Sequence, residues 1–149
     1  MSGSVLKIPG QGKQFTSLNA VQLLNSGLIF FSTLESLILE AKDEIFFETY
    51  IFESDETGTR IANALIETAK RGVRIYLLLD AFGSQDLSHA LQEKMIQAGI
   101  NLRKYGRFYS SGSFHIGRRL HRKVIVIDGQ SSVVGGINIS DPADHYNGR

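Results

Sequence analysis

The chain has 149 residues, of which 42% are hydrophobic and 21% charged, with 15 Gly and 2 Pro. This composition is typical of one globular domain and excludes a disordered or collagen-like protein. Because the chain has no Cys, disulfides, thiolate zinc sites and cysteine nucleophiles are excluded. The longest apolar runs, such as 75–79, are too short to span a bilayer, and the first residues do not predict a signal peptide.

The net charge is +1, but the positive charge is concentrated. Residues 94–127 contain eight of the 16 Lys and Arg residues and no acidic residue. Such a basic segment indicates an anionic partner, which could be phosphate, nucleic acid or acidic lipid. A solvated basic face is the alternative.

The first predicted elements are helical. Thr16 or Ser17 can cap a short helix through Leu24, which Gly27 would stop. Apolar residues at spacings of three and four predict a second helix from about Phe30 to Lys42, so that about 1–43 form a helical lead-in.

Strands and helices then alternate. We predict strands over 44–51, 73–80 and 100–104, and helices over 59–71 and 87–98. The near-continuous apolar run of 73–80 is typical of a strand covered on both faces. Residues 105–120 are predicted to form a long loop, and long loops are usually functional.

A hairpin follows this loop. Val124 to Ile127 are predicted to form a strand, Asp128-Gly129 a turn, and 132–135 the returning strand. The order of elements predicts an α/β layered sheet. The carboxyl ends of its parallel strands, including Asp80, should share one edge, where such sheets usually bind ligands.

The candidate site lies around the start of this hairpin. His121 and Lys123 are two residues apart and should point to one face of the strand. Gly135-Gly136 offers a backbone that a ligand can approach closely, and Asn138 follows. An imidazole, an ammonium, an amide and bare N–H groups can surround a tetrahedral anion. Each residue alone also has an ordinary structural explanation.

The spacing H-x-K-x4-D-x6-G-G-x-N, from His121 to Asn138, resembles the signature of the phospholipase D superfamily. Gly136 replaces the more common Ser, which is similar to the cardiolipin synthase branch. Further segments, among them 48–52 and 79–84, also resemble the first half of bacterial cardiolipin synthases. The resemblance implies a phospholipase D-like layered domain with a mixed, mostly parallel sheet flanked by helices.

The resemblance also implies a mechanism without metal or cofactor. A His attacks the phosphodiester phosphorus, and a second His protonates the leaving alkoxide. His121 would be the nucleophile or its acid–base partner, and Lys123, Gly136 and Asn138 would bind phosphate. Asp128 belongs to the catalytic signature, but its position on a turn beyond the strand favours a structural role.

The same resemblance implies phosphatidylglycerol as substrate, a glycerol-type alcohol as acceptor and no specific nucleic acid. Family enzymes need two motifs, and this chain has one. We therefore expect 1–149 to be a single N-terminal domain, completed by a second half or a homodimer partner and inactive alone. The fragment would be soluble, its parent peripheral to or anchored in the bacterial cytoplasmic membrane. The basic residues expected to contact anionic lipid are Arg107, Arg118, Arg119 and Arg122.

Two other functions stay open at the level of sequence. One is a homodimeric single-motif phosphodiesterase or nuclease of the same superfamily, since the basic segment could bind a nucleic-acid backbone. The other is a non-catalytic module that binds anionic lipid or phosphate, although pure binding would not require His121.

Overall fold

The computed structural model describes residues 19–106 and 119–141, which form one five-stranded sheet and three helices. In chain order the elements are α1 (Gly27–Glu40), β1 (Glu44–Thr49), α2 (Glu56–Lys70), β2 (Arg74–Asp80), α3 (His89–Gln97), β3 (Asn101–Tyr105), β4 (Val124–Ile127) and β5 (Ser131–Val134). The strand order is β3-β2-β1-β4-β5. Strands β1 to β3 are parallel, and β4 is antiparallel to both of its neighbours. The predicted mixed, mostly parallel sheet is confirmed.

The core lies on one face of this sheet. Ile45 and Phe47 of β1 are buried and pair in register with Ile75 and Leu77 of β2. Buried residues of all three helices join them in one hydrophobic cluster. Burial of alternate strand residues is the pattern of a sheet with one covered face.

The prediction that β2 is covered on both faces is wrong for the described residues. Tyr76 stays 39% exposed and stacks on Phe46 of β1, with ring centroids 5.0 Å apart. Within 19–106 and 119–141 the buried residues of the helices pack on the face opposite to Tyr76, so one side of the apolar run of β2 is exposed to solvent.

Helix α1 begins earlier than predicted. The Ser26 hydroxyl accepts a hydrogen bond from the Ile29 N–H at 3.3 Å and caps the helix, so Gly27 begins α1 instead of ending a preceding helix. The predicted helix through Leu24 is absent from the part described here, 19–24. Val21 and Leu23 are 94% and 87% exposed, and although Leu24 packs against the core, a short helix that buries so little apolar surface is unstable.

The Asp128-Gly129 turn joins β4 to β5 as predicted. Both residues have positive φ, 53° and 63°, which type I′ turns require and which suits the twist of a hairpin.

The carboxyl ends of β1, β2 and β3 meet at one edge of the sheet, which we call the carboxyl edge. Because β4 is antiparallel to β1, it begins at this edge. Tyr50, Asp80 and the segment 119–123 are thereby brought together. Most of the predicted loop, 107–118, lies outside the described residues.

Candidate functional site

His121 and Lys123 share one aromatic neighbour at the carboxyl edge. The His121 imidazole stacks on the Tyr50 ring, with centroids 4.4 Å apart and planes at 18°. The Lys123 Nζ lies 5.5 Å from the centroid of the same ring. His121 is exposed, whereas Lys123 is half-buried. The two groups are therefore neighbours on one face, as their spacing predicts.

The backbone after β5 comes next to Lys123. The Gly135 N–H donates to the Lys123 carbonyl at 3.2 Å, and both residues line a small cavity with Thr49. An added Cβ at Gly135 or Gly136 would meet no described atom within 4 Å. No described atom therefore crowds the backbone at 135–136, which a ligand could approach closely.

Asn138 lies on a segment that extends the sheet beyond β1. The Ile139 N–H donates to the Ile51 carbonyl and the Glu53 N–H to the Ile139 carbonyl, both at 3.0 Å. Asn138 Oδ1 is buried and has no hydrogen-bond partner among the described residues. Asn138 lines a groove of about 770 Å³ with Glu53 and Arg60. Lys123 lines the small cavity and not this groove. Ile137 lines both, so the groove with Asn138 and the cavity with Lys123 are neighbours.

Asp128 lies at the other edge of the sheet. Its carboxylate accepts the N–H groups of Lys42, Asp43 and Glu44 at 2.9, 2.8 and 2.9 Å. These hydrogen bonds hold the pKa of Asp128 below its usual value. The four residues of β4 lie between Asp128 and His121, and at ~3.3 Å per residue this strand alone spans roughly 13 Å. The structure does not bring this carboxylate to the imidazole.

Comparison with known proteins assigns the chain to a family. Residues 34–148 match the family described as cardiolipin synthase, PLD-like domain. The chain belongs to this family.

Relatives of this phospholipase D-like domain include cardiolipin synthases. Cardiolipin synthase B of Salmonella typhimurium strain LT2 is 40% identical over 130 residues, which are 85% of this chain and 31% of that protein. Cardiolipin synthase 1 of Bacillus cereus is 36% identical over 121 residues, which are 80% of this chain and 24% of that protein. The chain thus spans less than a third of the length of these relatives.

Solved structures share the fold. A phospholipase D family member, Nuc from Salmonella typhimurium, is 25% identical with a TM-score of 0.58, covering 78% of this chain and 68% of that one. NucT from Helicobacter pylori has a TM-score of 0.54 at 21% identity, covering 73% of this chain and 66% of that one, which shows the fold alone.

For Asp80 of this phospholipase D-like domain, the sequence predicted only a position at the carboxyl edge. The structure buries it and pairs both carboxylate oxygens. Oδ1 accepts the Phe82 and Gly83 N–H groups at 3.0 Å, and Oδ2 accepts the Leu120 N–H at 2.8 Å. Burial raises the pKa of Asp80, but these hydrogen bonds and the nearby Arg119 outweigh it and hold the pKa below its usual value. An Asp that ends an apolar strand is the sequence signal that points to such a residue.

The predicted lipid-contacting arginines have different environments in the domain. The Arg119 guanidinium lies 4.4 Å from the Phe82 ring centroid and 4.0 Å from Asp80, so contacts within the protein hold it. The Arg122 side chain is 76% exposed, with its nearest guanidinium nitrogen 3.9 Å from Glu48. Arg107 and Arg118 lie outside the described residues. In 19–106 and 119–141 no group of three or more His, Asp and Glu side chains is arranged to hold a metal ion.

Proposed function

We propose that the protein containing this domain transfers a phosphatidyl group between phosphatidylglycerol molecules, as a cardiolipin synthase does. The observation that carries the proposal is the placement of His121 and Lys123 against one ring, Tyr50, at the carboxyl edge of the sheet. The family match and the cardiolipin synthase relatives support the choice of reaction. Because the chain covers 31% of such a relative, the activity is proposed for the whole protein.

The proposed reaction has two displacements. In the first, an imidazole nitrogen attacks the phosphorus of phosphatidylglycerol, and the bond from phosphorus to the departing glycerol oxygen breaks. A second imidazole gives that oxygen its proton. In the second, a hydroxyl of another phosphatidylglycerol loses its proton to this second imidazole and attacks the phosphorus of the phosphohistidine, and the phosphorus–nitrogen bond breaks. The products are cardiolipin and glycerol, and His121 supplies one of the two imidazoles.

The neighbours of His121 would stabilise the charge that develops on the phosphoryl oxygens. Lys123 supplies a positive charge, and the peptide N–H of Gly136 supplies a donor without a competing side chain, while the Gly135 N–H stays bonded to the Lys123 carbonyl. Asn138 would reach the phosphoryl group or the adjoining alcohol from the neighbouring groove. The second imidazole would come from another segment of the whole protein or from a second copy.

A phosphatidyl substrate places the enzyme at a bilayer surface. We assign the protein to the bacterial cytoplasmic membrane, with Arg122 contacting anionic headgroups, because this side chain is exposed beside the site. In the part of the chain that the structure describes, no helix has the length and apolar character needed to cross a membrane.

The test uses the full-length protein with phosphatidylglycerol labelled in the headgroup. We expect cardiolipin and labelled glycerol in equal amounts, and an acid-labile phosphorylated His at the motif. His121→Ala should lower turnover by at least about a hundredfold, the range for loss of a group that moves a proton or attacks. His89→Ala is the matched control, since His89 is exposed at the start of α3.

A loss below tenfold in His121→Ala would refute the assignment. Hydrolysis of DNA without cardiolipin formation would instead favour the phosphodiesterase or nuclease function. Vesicle binding with no turnover of either substrate would favour a binding module.

A further inference from the structure

The turn after β2, residues 80–84, is hydrogen-bonded to Tyr50 itself and to Phe52. The Ser84 hydroxyl is buried, donates to the Tyr50 carbonyl at 3.1 Å and accepts the Phe52 N–H at 3.1 Å. The Ser84 N–H donates to the Asp80 carbonyl at 3.0 Å and closes the turn. The turn therefore fixes the backbone that carries the Tyr50 ring.

Gly83 lets this turn lie directly against Tyr50. A Cβ at position 83 would lie 2.9 Å from Tyr50 Cε2 and 3.0 Å from Cδ2, and would also clash with the Tyr50 carbonyl oxygen. These contacts are closer than side chains tolerate, so the ring occupies space that only a glycine leaves free. The turn thus holds both the backbone of Tyr50 and its ring, which stacks on His121.

The same turn also binds the segment before His121. Asp80 is buried, and its Oδ2 accepts the N–H of Leu120, the residue that precedes His121, at 2.8 Å. Arg119 packs over the ring of Phe82, which belongs to the turn. Hydrogen bonds to a buried carboxylate are among the stronger ones in proteins. The backbone at 119–120 therefore has little freedom relative to the turn.

We infer that Tyr50 and the turn 80–84 position the His121 imidazole for attack on phosphorus. The His121 imidazole is exposed and would rotate freely without these contacts. The Tyr50 ring stacks on it and fixes its plane, and Asp80 holds the backbone of Leu120, the residue before His121. This inference rests on the proposed function, because it assigns the turn a role in that reaction. A displacement of about 1 Å in a reacting group can cost 10²-fold in rate. Tyr50 and Asp80 are positioning residues, since they act through His121.

The first experiment compares Tyr50→Phe, which keeps the ring, with Tyr50→Leu, which removes it, in the full-length protein that contains this domain. Tyr76→Leu is the matched control, because Tyr76 is another stacked tyrosine, but its partner is Phe46 within the sheet and not His121. Histidines labelled with ¹³C report the stacking through the ring-current shift of the His121 ring protons. We expect this shift to persist in Tyr50→Phe and Tyr76→Leu and to vanish in Tyr50→Leu.

Kinetics provide the second readout. Tyr50→Leu should lower kcat by tenfold to about a hundredfold, with Tyr50→Phe and Tyr76→Leu within about threefold of the parent. Asp80→Asn removes one acceptor oxygen, and we expect kcat to fall by at least about tenfold while KM changes by less than about threefold. If Asp80→Asn does not fold, the comparison of Tyr50→Phe with Tyr50→Leu still tests the inference.

The inference is overturned if Tyr50→Leu behaves like Tyr76→Leu, or if Tyr50→Phe loses as much kcat as Tyr50→Leu. Failure of the proposed function has a different signature, in which the unsubstituted protein forms no cardiolipin. In that case the ring-current shift alone decides whether Tyr50 and the turn hold His121.

Discussion

Asp128 Oδ1 accepts the N–H of Asp43 at 2.8 Å, although 85 residues separate them in the chain. The N–H groups of Lys42 and Glu44 bond to the same carboxylate. One side chain on the β4–β5 turn thus holds the backbone where β1 begins. Asp128 has a φ of 53°, a left-handed conformation that Asp tolerates better than most residues.

We expect substitution of Asp128 to act on stability. Asp128→Gly suits the positive φ but loses the hydrogen bonds, so it should melt at a lower temperature than the parent. Asp128→Asn keeps one acceptor oxygen and should be intermediate. Differential scanning calorimetry at pH 7 measures both. A loss of kcat per folded molecule of more than about tenfold, with an unchanged melting temperature, would instead indicate a chemical role.

The effect of Asp128→Asn should depend on pH. The hydrogen bonds lower the pKa of Asp128 in the folded state, so the carboxylate stabilises the fold above its unfolded pKa of ~3.9. This contribution is lost as the pH falls through the folded pKa. The melting temperatures of parent and variant should therefore converge in acid. A constant difference from pH 7 down to the acid limit of folding would contradict this origin.

Glu53 should show the opposite dependence. Burial raises its pKa above the usual 4.5, and the negative charges of Asp55 and Asp86 raise it further. The folded state thus favours the protonated form, and ionisation at neutral pH opposes folding. We expect Glu53→Gln to raise the melting temperature at pH 7 and to lose this advantage as the pH falls below the folded pKa. Glu67→Gln, at an exposed position of α2, is the control and should have little effect.

Asn138 allows ligand binding to be separated from folding. Its Oδ1 is buried without a partner among the described residues, and an unmet buried acceptor costs roughly 1–3 kcal/mol. Asn138→Ala removes this cost, so the melting temperature should fall little or rise. Turnover should nevertheless drop by at least about tenfold, since the free oxygen would serve the substrate. A large loss of melting temperature would show that Asn138 supports the fold instead.

The two described arginines of the basic segment should differ at a membrane. Arg122 is exposed, and each basic residue near an anionic surface contributes about 1 kcal/mol, or roughly fivefold in binding. Arg122→Gln should weaken sedimentation with phosphatidylglycerol vesicles by about that factor at low salt, and added salt should reduce the difference. Arg119→Gln should affect vesicle binding less, because Phe82 and Asp80 hold that side chain. Equal affinity for phosphatidylcholine vesicles would contradict the electrostatic origin.

The sequence by itself predicted the features that depend on neighbours along the chain. The β4–β5 hairpin follows from two apolar strands around Asp128-Gly129, since the turn conformation is local. The common face of His121 and Lys123 follows from the two-residue period of an extended chain. The parallel strands β1 to β3 follow from the alternation of strands and helices.

The tertiary structure decided what depends on contacts between distant residues. The motif spacing includes Asp128 but does not show that its partners are Lys42, Asp43 and Glu44, at the edge remote from His121. The pattern of 73–80 did not show that helices would cover only one face of the described sheet, because burial depends on which elements pack against a strand. Asp80 and Leu120 are 40 residues apart, and the end of β2 meets the segment that carries His121 because β1 pairs parallel with β2 and antiparallel with β4.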